Sequence, residues 1–198
     1  MNLIKSFCDK ALYGSNDSDR HIISIFSIAL ASKGKTFVEL GVREGHTTQP
    51  LLEAAEMNGG HLWSVDLNSP SKFFSNSPNY TFCKQDSIEF LTNWDLNKKI
   101  DVVYVDDWHS YSHVKKQLEL LDQLVGPSSV ILLHDLMYGN TDPFYHSDLT
   151  LREGQWAEGG PYRAVAELNP QFWEWATLPW NNGLTILRKK YSNKFHRR

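Results

Sequence analysis

At 198 residues the chain has the length of one domain with a sizeable core, and a composition of 41% hydrophobic and 22% charged residues is that of a soluble globular protein. A net charge of −3 and a pI near 6.2 give bulk electrostatics no reason to attract nucleic acid or an anionic membrane. Cys8 and Cys83 have neither metal-ligand nor redox spacing, the N-terminus lacks an apolar signal core, and no apolar run approaches membrane-spanning length, so a reduced, cytoplasmic protein is expected.

Residues 2–13 read as a short amphipathic helix ending at Gly14. Asn16, Asp17, Ser18 and Asp19 offer caps for a second helix over 21–32, where Ile22, Ile23, Ile25, Phe26, Ile28 and Ala29 repeat at helical spacing until Gly34. These opening helices are expected to cover a sheet edge and line the pocket. A buried strand follows in Phe37, Val38 and Leu40, with Glu39 near its carboxyl end. Gly41 and Gly45 bracket a tight turn, and Thr47 or Thr48 caps a helix over 49–57 that tolerates Pro50 in its first turn. A strand entering a helix through a glycine turn sets free backbone N–H groups over the strand end, which suits a carboxylate, a phosphate or a ribose. A dinucleotide fingerprint starting at Gly41 needs glycine where Arg43 and His46 stand.

The second strand, 61–67, carries Asp66 near its end, 21 residues beyond Gly45 and about where a doubly wound fold puts the acid that binds ribose hydroxyls. After a polar loop over 68–79 comes a third strand, 80–85. Asp86 or Ser87 then caps a helix over 88–94, either as a cap alone or as a cap that also contacts a ligand. The fourth strand, 100–105, ends in Asp106-Asp107-Trp108-His109. A helix from about Ser110 buries Val114, Leu118, Leu121 and Val125 and stops at Gly126-Pro127. The fifth strand, 129–133, ends in His134-Asp135. Five strands alternating with helices predict a parallel sheet with right-handed crossovers. The irregular, aromatic-rich stretch 137–159 reads as a lid, followed by a helix over 161–168 and a closing antiparallel pair, 172–178 and 183–187.

Open α/β sheets bind ligands beyond the carboxyl ends of their strands. Here those ends carry Glu39, Asp66, Asp86, Asp106-Asp107 and His134-Asp135. Acids gathered on one rim repel one another, so some must face a positive ligand. Asp106, Asp107, His134 and Asp135 form a hard-oxygen set that suits Mg²⁺ or another divalent cation, and His109 or His134 is the candidate general base.

The order Glu39-x-Gly41-x-x-x-Gly45-x-Thr47 resembles motif I of class I S-adenosylmethionine (SAM) methyltransferases. Asp106-Asp107-Trp108-His109-Ser110-Tyr111, with Val114-Lys115, resembles the D-G-D-H-S-Y-x-x-V-K segment of the bacterial "methyltransferase domain 24" group, related to macrocin-type sugar O-methyltransferases and cephalosporin hydroxylase-like proteins. Ile131-Leu132-Leu133-His134-Asp135 resembles that group's apolar strand ending in His-Asp, and the similarity spans about residues 36–135. The resemblance implies a Rossmann-like α/β fold with a mostly parallel seven-stranded sheet and a C-terminal antiparallel hairpin, helices lying on both faces. It also implies SAM as cofactor and metal-assisted O-methylation of a sugar or natural-product hydroxyl. Glu39, Gly41, Val42, Gly45 and Thr47 would then hold the amino-acid part and sugar of SAM, Asp66 the ribose hydroxyls, and Asp86, Ser87 and Asp106 the rest of the cofactor. Asp107 and Trp108 stand where the group has Gly and Asp, which leaves open whether Asp106 or Asp107 faces the site. An NAD(P)-dependent oxidoreductase and a non-catalytic SAM- or sugar-binding protein are the rival readings. A nucleic-acid substrate is not expected, because the Asn/Asp-Pro-Pro-aromatic turn is missing after the fourth strand. Trp173, Trp175 and Trp180 mark either core or the interface of a homo-oligomer.

Overall fold

The computed structural model describes residues 2–70, 74, 76–137, 154 and 156–191. Its centre is β1 (Thr36–Leu40), buried at all five positions as a parallel strand covered on both faces must be. Beside it lie β2 (His61–Asp66) and then β3 (Tyr80–Lys84) on one side, and β4 (Ile100–Val105) and then β5 (Val125–His134) on the other, all parallel. The sheet closes with β7 (Leu184–Lys189) antiparallel to β5, and β6 (Trp173–Leu178) antiparallel to β7. The order β3-β2-β1-β4-β5-β7-β6 is the class I methyltransferase fold expected from the resemblance. Strand order reverses between β1 and β4, so their carboxyl ends flank the crevice where such sheets take ligands.

Helices cover both faces. α1 (Leu3–Tyr13), α2 (Ile22–Ala31) and α3 (Thr48–Met57) pack with Phe37, Leu62, Val102 and Leu132 on one face. α4 (Ser87–Thr92), α5 (Tyr111–Leu124) and α6 (Gly160–Ala166) pack with Val38, Val65, Val103 and Ile131 on the other. The caps are local: Asp86 accepts from Glu89 N at 3.0 Å, and Ser110 accepts from His113 N at 3.4 Å.

One boundary differs in an informative way. Gly126-Pro127 does not separate α5 from β5, because the helix passes directly into the strand at Val125. The register jumps from Ile100↔Val125 to Val102↔Val130, so the glycine and proline sit in an irregularity where no ladder bond is demanded of Pro127. Ser129 holds it, accepting from Gly126 N at 2.9 Å and donating to Ile100 O at 2.6 Å. Of the three late tryptophans, Trp173 is buried in the core while Trp175 and Trp180 are partly exposed. The lid expected over 137–159 falls mainly on residues outside those described. Among the described residues no helix is long and apolar enough to cross a membrane.

Candidate active site

The β1–α3 turn is shaped by two demands. Gly41 has φ 89°, and a Cβ there would lie 2.1 Å from the carbonyl oxygen of Asp106, so the turn reaches the end of β4 only with glycine. Asp66 supplies the second: its Oδ2 accepts from Val42 N at 2.9 Å and Arg43 N at 3.1 Å, its Oδ1 from Asn68 N at 2.8 Å. Those bonds hold Arg43 in the left-handed region, φ 51°. Gly45, φ 77°, closes the turn by donating to Val42 O.

Glu39, expected against the cofactor, lines neither of the cavities described below. It is fully buried, and its oxygens accept from Thr47 Oγ1 and Thr48 Oγ1 at 2.8 Å each and from Ser64 Oγ at 2.5 Å. Burial pushes its carboxyl up to about 7 against the pull of those three hydroxyls. Thr47 reaches the cavity wall, but its hydroxyl is spent on Glu39.

Two cavities meet over the crevice, of 690 and 430 Å³, and share Gly41, Val42, Arg43, Glu44, Asp106 and Asp107 as a common floor. The larger adds Asp66, Asp86, Ser87, Trp108 and His113. Asp86 is therefore both helix cap and cavity wall. The smaller adds residues 16–18 of the N-terminal segment, His46, Thr47, His109, Asp135 and Trp156.

The neighbouring acids Asp106 and Asp107 point different ways. Asp107 accepts from Ser87 Oγ at 2.5 Å and from Gln117 Nε2 at 2.8 Å, with His113 Nε2 3.1 Å away. Burial opposes its charge, but these partners hold the carboxyl below its ordinary value. Asp107 is thus tied to α4 and α5 and stands apart from Asp106, His134 and Asp135, the group with which it was expected to hold a cation. Asp106 turns toward β5, with Tyr104 OH donating to its Oδ2 at 3.0 Å.

At the β4–β5 corner two acids and two histidines interlock. His109 Nε2 lies 3.3 Å from Asp106 Oδ1 and 3.0 Å from Asp135 Oδ2. His134 Nδ1 lies 3.1 Å from Asp135 Oδ1 and 3.6 Å from Asp106 Oδ1. Burial opposes all four charges, yet the facing partners win. The carboxyls of Asp106 and Asp135 are held below their ordinary values, His109 is raised to about 9, and His134 is raised well above its ordinary value. Asp135 takes a left-handed φ of 65°, costly for most residues but tolerable for Asp. His109 stacks on Trp156 with centroids 4.6 Å apart, whereas His134 is buried beneath the cavity and does not line it.

One oxygen or nitrogen each from Asp106, His134 and Asp135 lies within 4.8 Å of the others, a group able to hold a metal ion. Neither nitrogen of His134 makes a hydrogen bond, and nor does Asp135 Oδ1, their 3.1 Å approach being an ion-pair contact only. Sequence reasoning gave no role to His46, an unspecified position of the first motif, or to the supporting Tyr104 and Gln117, whose partners lie outside any local pattern.

Comparison with known proteins places this geometry. No curated protein matches the sequence. Among solved structures, the SAH-bound methyltransferase PaMTH1 of Podospora anserina aligns with TM-score 0.66 at 15% identity, over 96% of this chain and 89% of that one. The O-methyltransferase TomG of Streptomyces achromogenes, solved with SAM, aligns with TM-score 0.68 at 12% identity, over 96% and 91%. An O-methyltransferase of Bacillus cereus, solved with SAH, gives 0.65 at 13% over 94% and 88%. At such identities the likeness is one of fold. The family model described as a methyltransferase domain matches residues 38–136, a stretch that takes in every strand-end acid from Glu39 to Asp135, and the chain belongs to that methyltransferase family.

Proposed function

We propose that the protein is a SAM-dependent methyltransferase that methylates a hydroxyl of a small molecule or sugar, with a divalent cation at the β4–β5 corner. The observation that carries this reading is the pair of cavities with one shared floor. The larger suits a nucleoside: Asp66 and Asp86 offer carboxylates to hydroxyls and an adenine edge, and Trp108 offers an aromatic wall. The smaller, with His109 and two acids at one end, suits the acceptor. SAM and SAH in solved methyltransferases of this fold support the cofactor.

Two carboxylates and an imidazole, one ligand atom of each lying within 4.8 Å of the others, fit a hard cation such as Mg²⁺. When bound, such an ion supplies Lewis acidity that lowers the pKa of a hydroxyl and fixes its oxygen. Tyr104 keeps Asp106 aimed at the corner, and the Trp156 stack fixes the plane of His109. A cation held by Asp106, His134 and Asp135 would compete for the carboxylates that hold His109 charged, and His109 Nε2, on the cavity wall, would then be the acceptor for the hydroxyl proton. His134, out of reach of the cavity, is a ligand in this scheme and His109 the base.

Calorimetry against SAM, SAH and NAD tests the cofactor. Binding of SAH at micromolar affinity supports the assignment, and binding of NAD alone overturns it. Turnover of hydroxyl compounds with and without Mg²⁺ then separates an enzyme from a SAM-binding protein that does no chemistry.

A further inference from the structure

The N-terminal segment contributes one half of a side-chain pair, Asp19 with His46, that none of the foregoing uses. Asp19 opens the short 3-10 turn Asp19–His21, and its side chain is only 4% exposed. Its Oδ1 lies 3.1 Å from His46 Nδ1, and its Oδ2 accepts from Asn16 N at 2.9 Å. A carboxylate at Nδ1 makes that nitrogen the one carrying hydrogen and fixes the plane of the ring. Nε2 is then the free end. It has no protein partner among the described residues, and His46 forms part of the wall of the 430 Å³ cavity.

We propose that His46, oriented by Asp19, binds the carboxylate of the cofactor's methionine arm. The proposal rests on the cofactor reading above and follows from the path of the ligand. With the nucleoside in the larger cavity, the arm crosses the floor of Gly41, Val42 and Asp106 and ends in the smaller one. There its ammonium meets Asp17, Glu44 and Asp106, but its carboxylate enters acidic surroundings and needs a donor. Three other side-chain donors on that wall are engaged elsewhere. Arg43 pairs with Glu44 and its side chain is 72% exposed, His109 Nε2 is shared between Asp106 and Asp135, and Thr47 donates to Glu39. His46 is placed between the two: its ring meets the buried Asp19 through Nδ1 and turns Nε2 toward the arriving carboxylate.

Two ligands separate this role from a structural one: SAH, which has the arm, and 5′-methylthioadenosine, which has the nucleoside and sulfur without it. Calorimetry on the full chain should find His46→Ala weakening SAH by about tenfold or more while 5′-methylthioadenosine changes by less than about twofold. His46→Gln, which keeps one donor, should recover part of the SAH affinity, and Asp19→Asn should weaken SAH without affecting the armless ligand. Equal losses for both ligands in His46→Ala, or an unchanged SAH affinity, overturn the proposal. Failure of the unsubstituted protein to bind either ligand overturns the cofactor reading, and this inference with it.

Discussion

Glu39 lies in β1 and Asp106 directly follows β4, so both stand near the carboxyl ends of adjacent parallel strands. Yet the two have become different objects. Around Glu39 every partner is a hydroxyl, so nothing nearby carries a positive charge, and burial pushes the carboxyl up to about 7. Around Asp106 stand His109 and His134, and the same burial is outweighed, leaving the carboxyl below its ordinary value. Neutral donors turn a strand-end acid into a strut that ties α3 and β2 to β1. Ionisable partners make its neighbour part of a charged corner. The chemistry of the rim is decided by what each acid faces, not by its place at a strand end.

The largest effect should come from altering the corner. Asp135→Asn suits the test because Asn tolerates the left-handed φ of 65° that Ala would resist. It removes one charged ligand from the three, and Mn²⁺ affinity measured by calorimetry or electron spin resonance should fall by about a hundredfold or more. SAH affinity should change by less than about threefold, because the larger cavity does not include Asp135 and the contacts proposed for the methionine arm in the smaller one fall on His46, Asp17, Glu44 and Asp106. Undiminished Mn²⁺ binding in this variant would remove the corner's claim to be a metal site.

A smaller effect is expected at Asp66, which belongs to both halves of the comparison. Its carboxylate braces the glycine turn through Val42 and Arg43 and also lines the larger cavity. Asp66→Ala should weaken SAH binding by about tenfold or more. Asp66→Asn keeps an acceptor for the backbone amides but loses the charge, so it should fall between the two. If Asn binds as weakly as Ala, the charge matters to the ligand more than the brace matters to the turn.

What the sequence made legible was whatever follows from periodicity and topology. The rim of acids could be read because the carboxyl ends of parallel strands share one edge, and the cap at Asp86 because capping is local. Side-chain direction just past a strand could not be read. Asp106 and Asp107 diverge because Gln117 and His113 of α5 wait beneath one of them, and nothing in the motif announces that. Glu39 faces inward because Thr47, Thr48 and Ser64 converge on it from two other elements. The Asp19–His46 pair spans 27 positions, beyond the reach of any local pattern.

The smallest effect is also the sharpest test of the strut. Glu39 gains a folded-state pKa of about 7 against an ordinary value near 4.5, so the folded protein binds its proton more tightly than the unfolded chain does. That contribution to stability is fully present below about 4.5, declines as pH rises, and is gone once pH passes about 7. Glu39→Gln abolishes the titration. Its amide also forces one hydroxyl to turn and accept, but that penalty is the same at every pH and shifts the curve without tilting it. Urea unfolding at unit steps between about pH 5 and about pH 8 should therefore show the variant gaining on the unsubstituted protein by roughly 2–3 kcal/mol across that interval. SAH affinity should stay unchanged, since Glu39 touches neither cavity. Parallel stability curves would mean that the three hydroxyls keep Glu39 ionised after all. The two strand-end acids would then be alike in charge, and the contrast between strut and charged corner would rest on position alone.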